Sequence, residues 1–187
     1  LLVAACAAPA DRAAAPSPAT APAAAAADRP VPAFLADTLA AIRADYAPDR
    51  RVARFDVEAA WSGDQLVLKG ATDQPGAASR LGRALAAAGV AWEDSVRRLP
   101  DLGAGEPAWA LVNNSVANIR SEPGHSAELA TQAPLGTPLR VLDRDGGWLL
   151  VQVPDGYIAW VDAGGVAPVD DAELQAHQAA EKVIYLG

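Results

Sequence analysis

The sequence predicts an α+β chain in which a small α-β-β-α-β unit precedes an all-β barrel, with a disordered Ala/Pro-rich tether in front of both. Three observations carry this prediction. Apolar residues recur first at helical and then at alternating spacing over residues 31–100. Short β-like runs separated by Gly and Pro turns fill residues 108–169, and residues 7–30 contain almost only Ala and Pro.

Composition sets the outer limits. Of 187 residues, 51% are hydrophobic but only 5% aromatic. Ala, the commonest residue, buries little surface, so the usable core suits one or two small domains rather than a large single-core enzyme. The net charge is −8 and no cluster of Lys and Arg stands out against it, which argues against a nucleic-acid footprint. Cys6 is the only cysteine, which excludes an intrachain disulfide, a multi-cysteine zinc site and a redox pair; no metal or other cofactor is expected. With His125 and His177 the only histidines, a Cys-His catalytic pair would have to recruit Cys6 from the extreme N-terminus, so the chain is expected to be non-catalytic. It contains no Met and is expected to be a fragment.

Residues 1–6, Leu1-Leu2-Val3-Ala4-Ala5-Cys6, read as the tail of an apolar signal segment with small residues before a cysteine. The stretch resembles a bacterial lipoprotein signal, in which Val3-Ala4-Ala5-Cys6 is the lipobox and Cys6 the lipidated residue. The other reading is a chance apolar stub with an ordinary thiol. Two acyl chains on Cys6 would suffice for stable anchoring. The resemblance implies a membrane partner and a cell-envelope location facing the periplasm, and Ala7 in place of an acidic residue implies the outer membrane. Residues 7–30 are a spacer whose scattered Pro blocks a long helix. Fully extended, it reaches on the order of 70 Å at about 3.1 Å per residue. A helix over 23–27 is too short to be stable alone.

In the unit at 31–100, Phe34, Leu35, Leu39 and Ile42 fall at helical spacing from Pro32, and Pro48 ends the pattern. Val52, Phe55 and Val57, then Leu66 and Leu68, read as two strands joined at Ser62-Gly63-Asp64. A helix over 75–88, with Leu81 and Leu85 four apart and Gly89 as its stop, leads to a final strand over 90–99 that ends at Pro100. The order, with Leu66-Val67-Leu68-Lys69-Gly70-Ala71-Thr72 running into a helix and then Gly89-Val90, resembles the BON domains of envelope lipoproteins. That resemblance implies an envelope or interaction role without a catalytic group. Asp56 and Glu58 share one strand face with nothing basic read nearby, so a solvated face is expected rather than a working carboxylate pair.

A linker at 101–107 opens the second unit, 108–169. Strands are expected over 109–112, 116–120, 138–143, 148–153, 157–161 and 166–169, with hairpin turns at Asp145-Gly146-Gly147 and Pro154-Asp155-Gly156. Five or six short strands in so few residues predict a closed barrel. The motifs Ser115-Val116-Ala117-Asn118-Ile119-Arg120-Ser121-Glu122-Pro123, His125-Ser126-Ala127-Glu128-Leu129, Leu135-Gly136-Thr137-Pro138-Leu139-Arg140-Val141-Leu142, Gly147-Trp148 and Pro154-Asp155-Gly156-Tyr157-Ile158-Ala159-Trp160-Val161 resemble a bacterial SH3 domain. More narrowly, they are similar to the first SH3 domain of NlpC-type cysteine peptidases that act on peptidoglycan stem peptides. Ala159 departs from the Gly usual before that Trp.

The resemblance implies that an acidic residue in the Arg-x-Glu-Pro stretch and a Tyr in the Asp-Gly-Tyr stretch hold the free N-terminal amine of the substrate's L-Ala. Those positions are Glu122 and Tyr157 here. A carboxylate pairs with an ammonium and a phenol oxygen accepts a second hydrogen bond, so a capped amine is excluded. The residues by themselves also allow Glu122 a solvated loop and Tyr157 a place packed on the barrel with its hydroxyl wet. His125, beside Ser126 and Glu128, is expected to be a structural loop histidine and not part of a triad. Trp109, Trp148 and Trp160 are barrel and rim residues that could alternatively line a peptide groove.

Residues 170–187 read as a helical linker, with Asp171 as N-cap and His177 exposed, followed by the first strand of a truncated second SH3-like domain. The expected function is a lipid-anchored envelope module whose SH3 domain gates or recognises the free L-Ala of murein peptides. It would serve a downstream cysteine endopeptidase domain, cleaving the γ-D-glutamyl bond to a diamino acid, that is missing from this chain. The alternative is a stand-alone SH3 lipoprotein that binds cell-wall peptide or an envelope partner.

Overall fold

The computed structural model describes residues 30–181. The lipobox at Cys6, all but the last residue of the tether and the strand expected from residue 182 lie outside the described residues. Within them the chain is α+β, with three α-helices and ten strands in two sheets. No helix among the described residues is long and apolar enough to cross a membrane.

The first unit runs α1 (Ala33–Tyr46), β1 (Phe55–Ser62), β2 (Gln65–Thr72), α2 (Pro75–Ala87) and β3 (Trp92–Arg98). β1 and β2 form an antiparallel hairpin across Gly63-Asp64, with Gly63 at a φ of 61°, and β3 returns parallel to β2 after the α2 crossover. Leu35 and Ile42 of α1 and Ala77, Leu81 and Leu85 of α2 are buried on Phe55, Val57, Leu66 and Leu68, so both helices cover one face of the sheet. Phe34, expected in the α1 stripe, is exposed; the buried face is set by Leu35 and Ile42, seven apart, with Leu39 partly covered. Val52 lies in the turn before β1 rather than in the strand.

The second unit contains β4 (Trp109–Val112), β5 (Val116–Arg120), β6 (Leu129–Pro134), β7 (Pro138–Asp145), β8 (Trp148–Gln152), β9 (Ile158–Asp162) and β10 (Val166–Val169), ordered β10-β4-β7-β8-β9-β5-β6. Laid flat, seven strands would span roughly 29 Å at about 4.8 Å per gap. Yet side chains from all seven, from Val166 on β10 to Ala133 on β6, share one buried cluster. The sheet is therefore rolled into a barrel, and its two ends, β10 and β6, meet through the core rather than through a ladder. Both end strands contain a proline, Pro168 and Pro134.

β6 is a seventh strand beyond the five or six expected. Only Ala133 of its six residues is buried, so it lacks the apolar alternation that marks a strand. α3 (Asp171–Ala179) is capped by Asp170, not Asp171: the Asp170 carboxylate accepts from the Glu173 N–H at 2.8 Å and Glu173 accepts in return from the Asp170 N–H at 2.9 Å. His177 is half-buried rather than exposed, and its Nε2 donates to the Gly136 carbonyl at 2.8 Å, which seats α3 on the loop before β7.

The units are joined through the outside of the barrel. Leu149 and Val151 point into the barrel core, whereas Leu150 belongs to a separate buried cluster with Leu142, Ile158 and Leu99, flanked by Trp160 and Ala71. β8 is thus covered on both faces. Around this cluster the Asp101 N–H donates to the Leu142 carbonyl at 2.8 Å, and Arg97 pairs with the buried Asp143 at 2.7 Å. The stretch at 101–107 is docked in the same way, with Glu106 against Arg144 at 2.8 Å.

One glycine is dictated by the close approach of β1 to β2. Gly70, with φ 119°, pairs with Val57, and a Cβ there would lie 1.8 Å from the Asp56 carbonyl oxygen. Gly70→Ala is expected to lower stability by at least about 2 kcal/mol through backbone displacement at Asp56, read as a reduced urea midpoint.

Candidate functional site

A cleft of about 520 Å³ lies between the two units. One wall is the turn between α1 and β1 and the first residues of β1; the other is the β5–β6 hairpin mouth and the β8–β9 turn.

The first wall is organised by Asp49. Its Oδ1 accepts from the Arg51 N–H at 2.9 Å, its carbonyl accepts from the Val52 and Ala53 N–H groups, and its carboxylate holds the Arg51 side chain through Nε and Nη2 at 2.9 and 2.8 Å. The Arg51 guanidinium beside Asp49, followed by the Arg51 backbone N–H, lowers the carboxyl to about 2 from 3.8. Arg51 then reaches the other wall in two ways: its carbonyl accepts from the Ile158 N–H at 2.6 Å, and its guanidinium carbon sits 5.5 Å from the Tyr157 ring centroid. Gly156 in the opposing turn has φ 94° and faces Val52, leaving space of ordinary van der Waals size for that approach.

Deeper in the same wall, Asp56 receives Arg54 at 2.8 Å and Arg50 at 3.2 Å. The expectation of a merely solvated Asp56 is corrected here. Residues 50–54 hold three of the chain's 15 Lys and Arg, and the turn folds two of them back onto β1. Glu58 is exposed.

The opposite wall presents Tyr157, Ser121 and Glu128. Tyr157 is set by an Asx turn in which its N–H donates to Asp155 Oδ1 at 3.0 Å. Ser121 and Glu128 face each other at the base of the β5–β6 connection, where the Ser121 N–H donates to the Glu128 carbonyl at 2.9 Å. Among the described residues, neither the Glu128 carboxylate nor the Tyr157 hydroxyl has a hydrogen-bond or ion-pair partner in the protein. Glu122, the acid expected beside Tyr157, is not among the residues that line this cleft. It lies within the tight turn closed by its own carbonyl and the Gly124 N–H, and is exposed. The acid that shares a cleft with Tyr157 is Glu128, six residues on, within the His125-Ser126-Ala127-Glu128-Leu129 stretch of the SH3 resemblance.

The three tryptophans do not form one groove. Trp160 packs against the cluster joining the units, and Trp109 sits on β4 between β10 and β7. Trp148 lines a second depression of about 430 Å³, where His125 tilts over it at 5.0 Å between ring centroids. His125 is 79% exposed and its Nε2 is 3.6 Å from Asp162, too long for a hydrogen bond, so its main contact is the Trp148 ring. No group of three or more metal-ligating side chains is present among the described residues.

Because Asp49 titrates lower in the folded chain than its ordinary 3.8, its contribution to stability is complete above pH 4 and is lost as pH falls through about 2. The melting-temperature gap between the parent chain and Asp49→Asn is therefore expected to be widest at pH 5 and to close by pH 2.

No curated protein is matched by the sequence. Residues 119–165 match the family described as the bacterial dipeptidyl-peptidase SH3 domain, a span that runs from the middle of β5 to the turn before β10 and takes in Ser121, Glu128 and Tyr157, but not the arginine wall. The chain therefore carries a bacterial SH3 domain of a dipeptidyl-peptidase-type family at residues 119–165, and no catalytic domain is identified in it.

Proposed function

We propose that the chain is a non-catalytic recognition module of the bacterial cell envelope whose SH3 domain receives the free N-terminal ammonium of a murein stem peptide. It does so on behalf of an NlpC-type cysteine endopeptidase domain that cleaves the γ-D-glutamyl bond to a diamino acid. One observation carries this reading: within the matched SH3 span, Glu128 and Tyr157 line one cleft, and among the described residues neither the carboxylate nor the hydroxyl has a hydrogen-bond or ion-pair partner. A carboxylate supplies the counter-charge for an ammonium and a phenol oxygen accepts one of its remaining protons. An acetylated or glycan-linked amine offers neither the charge nor enough donors, and leaves Glu128 facing a neutral group.

Lipidation at Cys6 fits this role. It would hold the module at the outer membrane on a spacer long enough to sample peptides in the periplasm. A stand-alone binding lipoprotein is the second reading, and one feature favours it: both walls of the cleft come from this chain, so no further domain is needed to complete it.

Titration of the chain with L-Ala-γ-D-Glu-diamino acid peptide, followed by calorimetry or NMR, tests the reading. Glu128→Gln is expected to weaken binding by about tenfold or more and Tyr157→Phe by about threefold to tenfold, consistent with loss of a charged and a neutral hydrogen bond. N-acetylation of the peptide should abolish binding, whereas Glu122→Gln should leave it unchanged. Equal affinity for free and acetylated peptide would overturn the ammonium role. Separately, Cys6→Ser in the expressed precursor is expected to release the protein from the membrane fraction and to stop incorporation of labelled fatty acid.

A further inference from the structure

We infer that the arginine wall of the cleft is a carboxylate subsite, so that the cleft takes a short peptide bearing both a free N-terminal ammonium and a free carboxylate one residue further along. The ammonium end of this inference rests on the reading above; the carboxylate end rests on residues outside the SH3 span.

The charge balance is the first reason. Among the described residues, Arg50, Arg51 and Arg54 pair on their wall with Asp49 and Asp56, which leaves one positive charge there in a chain of net −8. Across the cleft Glu128 contributes one negative charge. The cleft is dipolar, and a ligand carrying a single charge would complement only one side of it.

The second reason is donor count. A guanidinium has five N–H donors in a planar fork suited to a carboxylate. Arg51 spends Nε and Nη2 on Asp49, and Arg50 spends Nη2 on Asp56, so each keeps donors for a ligand. Asp49 also fixes Arg51 before any ligand arrives, which reduces the ordering cost of binding. The Tyr157 ring lies 5.5 Å from the Arg51 guanidinium carbon and lines the same cleft as Glu128, so the two charged regions belong to one cleft and not to two separate surfaces. Its volume of about 520 Å³ is that of a small-ligand site.

The γ-linked peptide of the proposed function has this charge pattern. Linking D-Glu through its side-chain carboxyl leaves its α-carboxylate free, one residue from the L-Ala ammonium. A peptide whose α-carboxylate is converted to the amide keeps its shape and ammonium but loses the negative charge. The arginine wall should therefore discriminate D-glutamyl from D-isoglutaminyl peptides, a selectivity that the SH3 residues alone do not provide.

The test is calorimetry or NMR titration of the full chain with three peptides: L-Ala-γ-D-Glu-diamino acid, its α-amide, and its N-acetyl form. The carboxylate peptide is expected to bind about tenfold or more tighter than the amide. Arg50→Gln and Arg51→Gln should each shrink that ratio while leaving the affinity of the amide nearly unchanged. Arg50, with its side chain 77% exposed, guards against a folding defect in the Arg51 variant, and circular dichroism melts check both. If amidation has no effect while acetylation does, the subsite is overturned and the ammonium reading stands. Sensitivity to amidation with none to acetylation overturns the ammonium reading and keeps the subsite. A ratio preserved in both variants assigns the selectivity to other groups and overturns the inference, and failure of all three peptides to bind overturns both readings.

Discussion

Burial of the outer face of the barrel governs the rest of the structure. Leu142, Leu150 and Ile158 project away from the barrel core, and without Leu99 and its neighbours from the first unit they would face water. Burying a Leu or Ile side chain is worth about 1.5–3 kcal/mol, so these few residues suffice to favour one relative placement of the units. The Arg97–Asp143 pair lies at the same junction, with a carboxylate that is nearly fully covered. A buried charge that loses its partner is strongly penalised, so this contact tolerates little sliding and adds orientation to what the apolar cluster supplies in affinity.

Fixing the units brings two ordinary Asx turns face to face. In one, Asp49 arranges Arg51; in the other, Asp155 arranges Tyr157. Neither turn is unusual by itself, and no non-glycine residue in the described chain has a positive φ, so the cleft is built without backbone strain. Its chemistry comes from placement: a guanidinium held by its own turn, a phenol beneath it, and a carboxylate at the mouth of a neighbouring hairpin. The arrangement is suited to holding a charged ligand, since it offers counter-charges of both signs within one cleft.

Much of the fold was legible in the sequence because local rules dominate there. The hairpin at Gly63, α2 between Pro75 and Gly89, and strands β4, β5 and β10 each carry their own signal of period, turn or stop. β6 escaped because an edge strand with one buried alanine has no pattern to detect. The cap of α3 was legible and misassigned: Asp170 stands three residues before Glu173, the spacing of a capping box, whereas Asp171 does not. The junction also had a signal, the unbroken Leu149-Leu150-Val151 run, since a strand with water on one face would alternate. The site was less legible. Glu122 and Glu128 both flank the same turn, and only the pairing of Ser121 with Glu128 decides which one enters the cleft. Arg50, Arg51 and Arg54 were visible as a local concentration of charge, but their relation to Tyr157 depends on a contact spanning more than 100 residues, which no local pattern encodes.

The two prolines at the ends of the rolled sheet bear on self-association. β10 and β6 each have one neighbour, so each presents a row of backbone groups that a strand from another copy could pair with. Pro168 and Pro134 remove one amide donor from each row, and any ladder added at either end is interrupted there. A net charge of −8 adds repulsion between copies. An open barrel is thus hindered from polymerising through its edges, so copies that meet edge to edge at high local concentration find no uninterrupted ladder to extend.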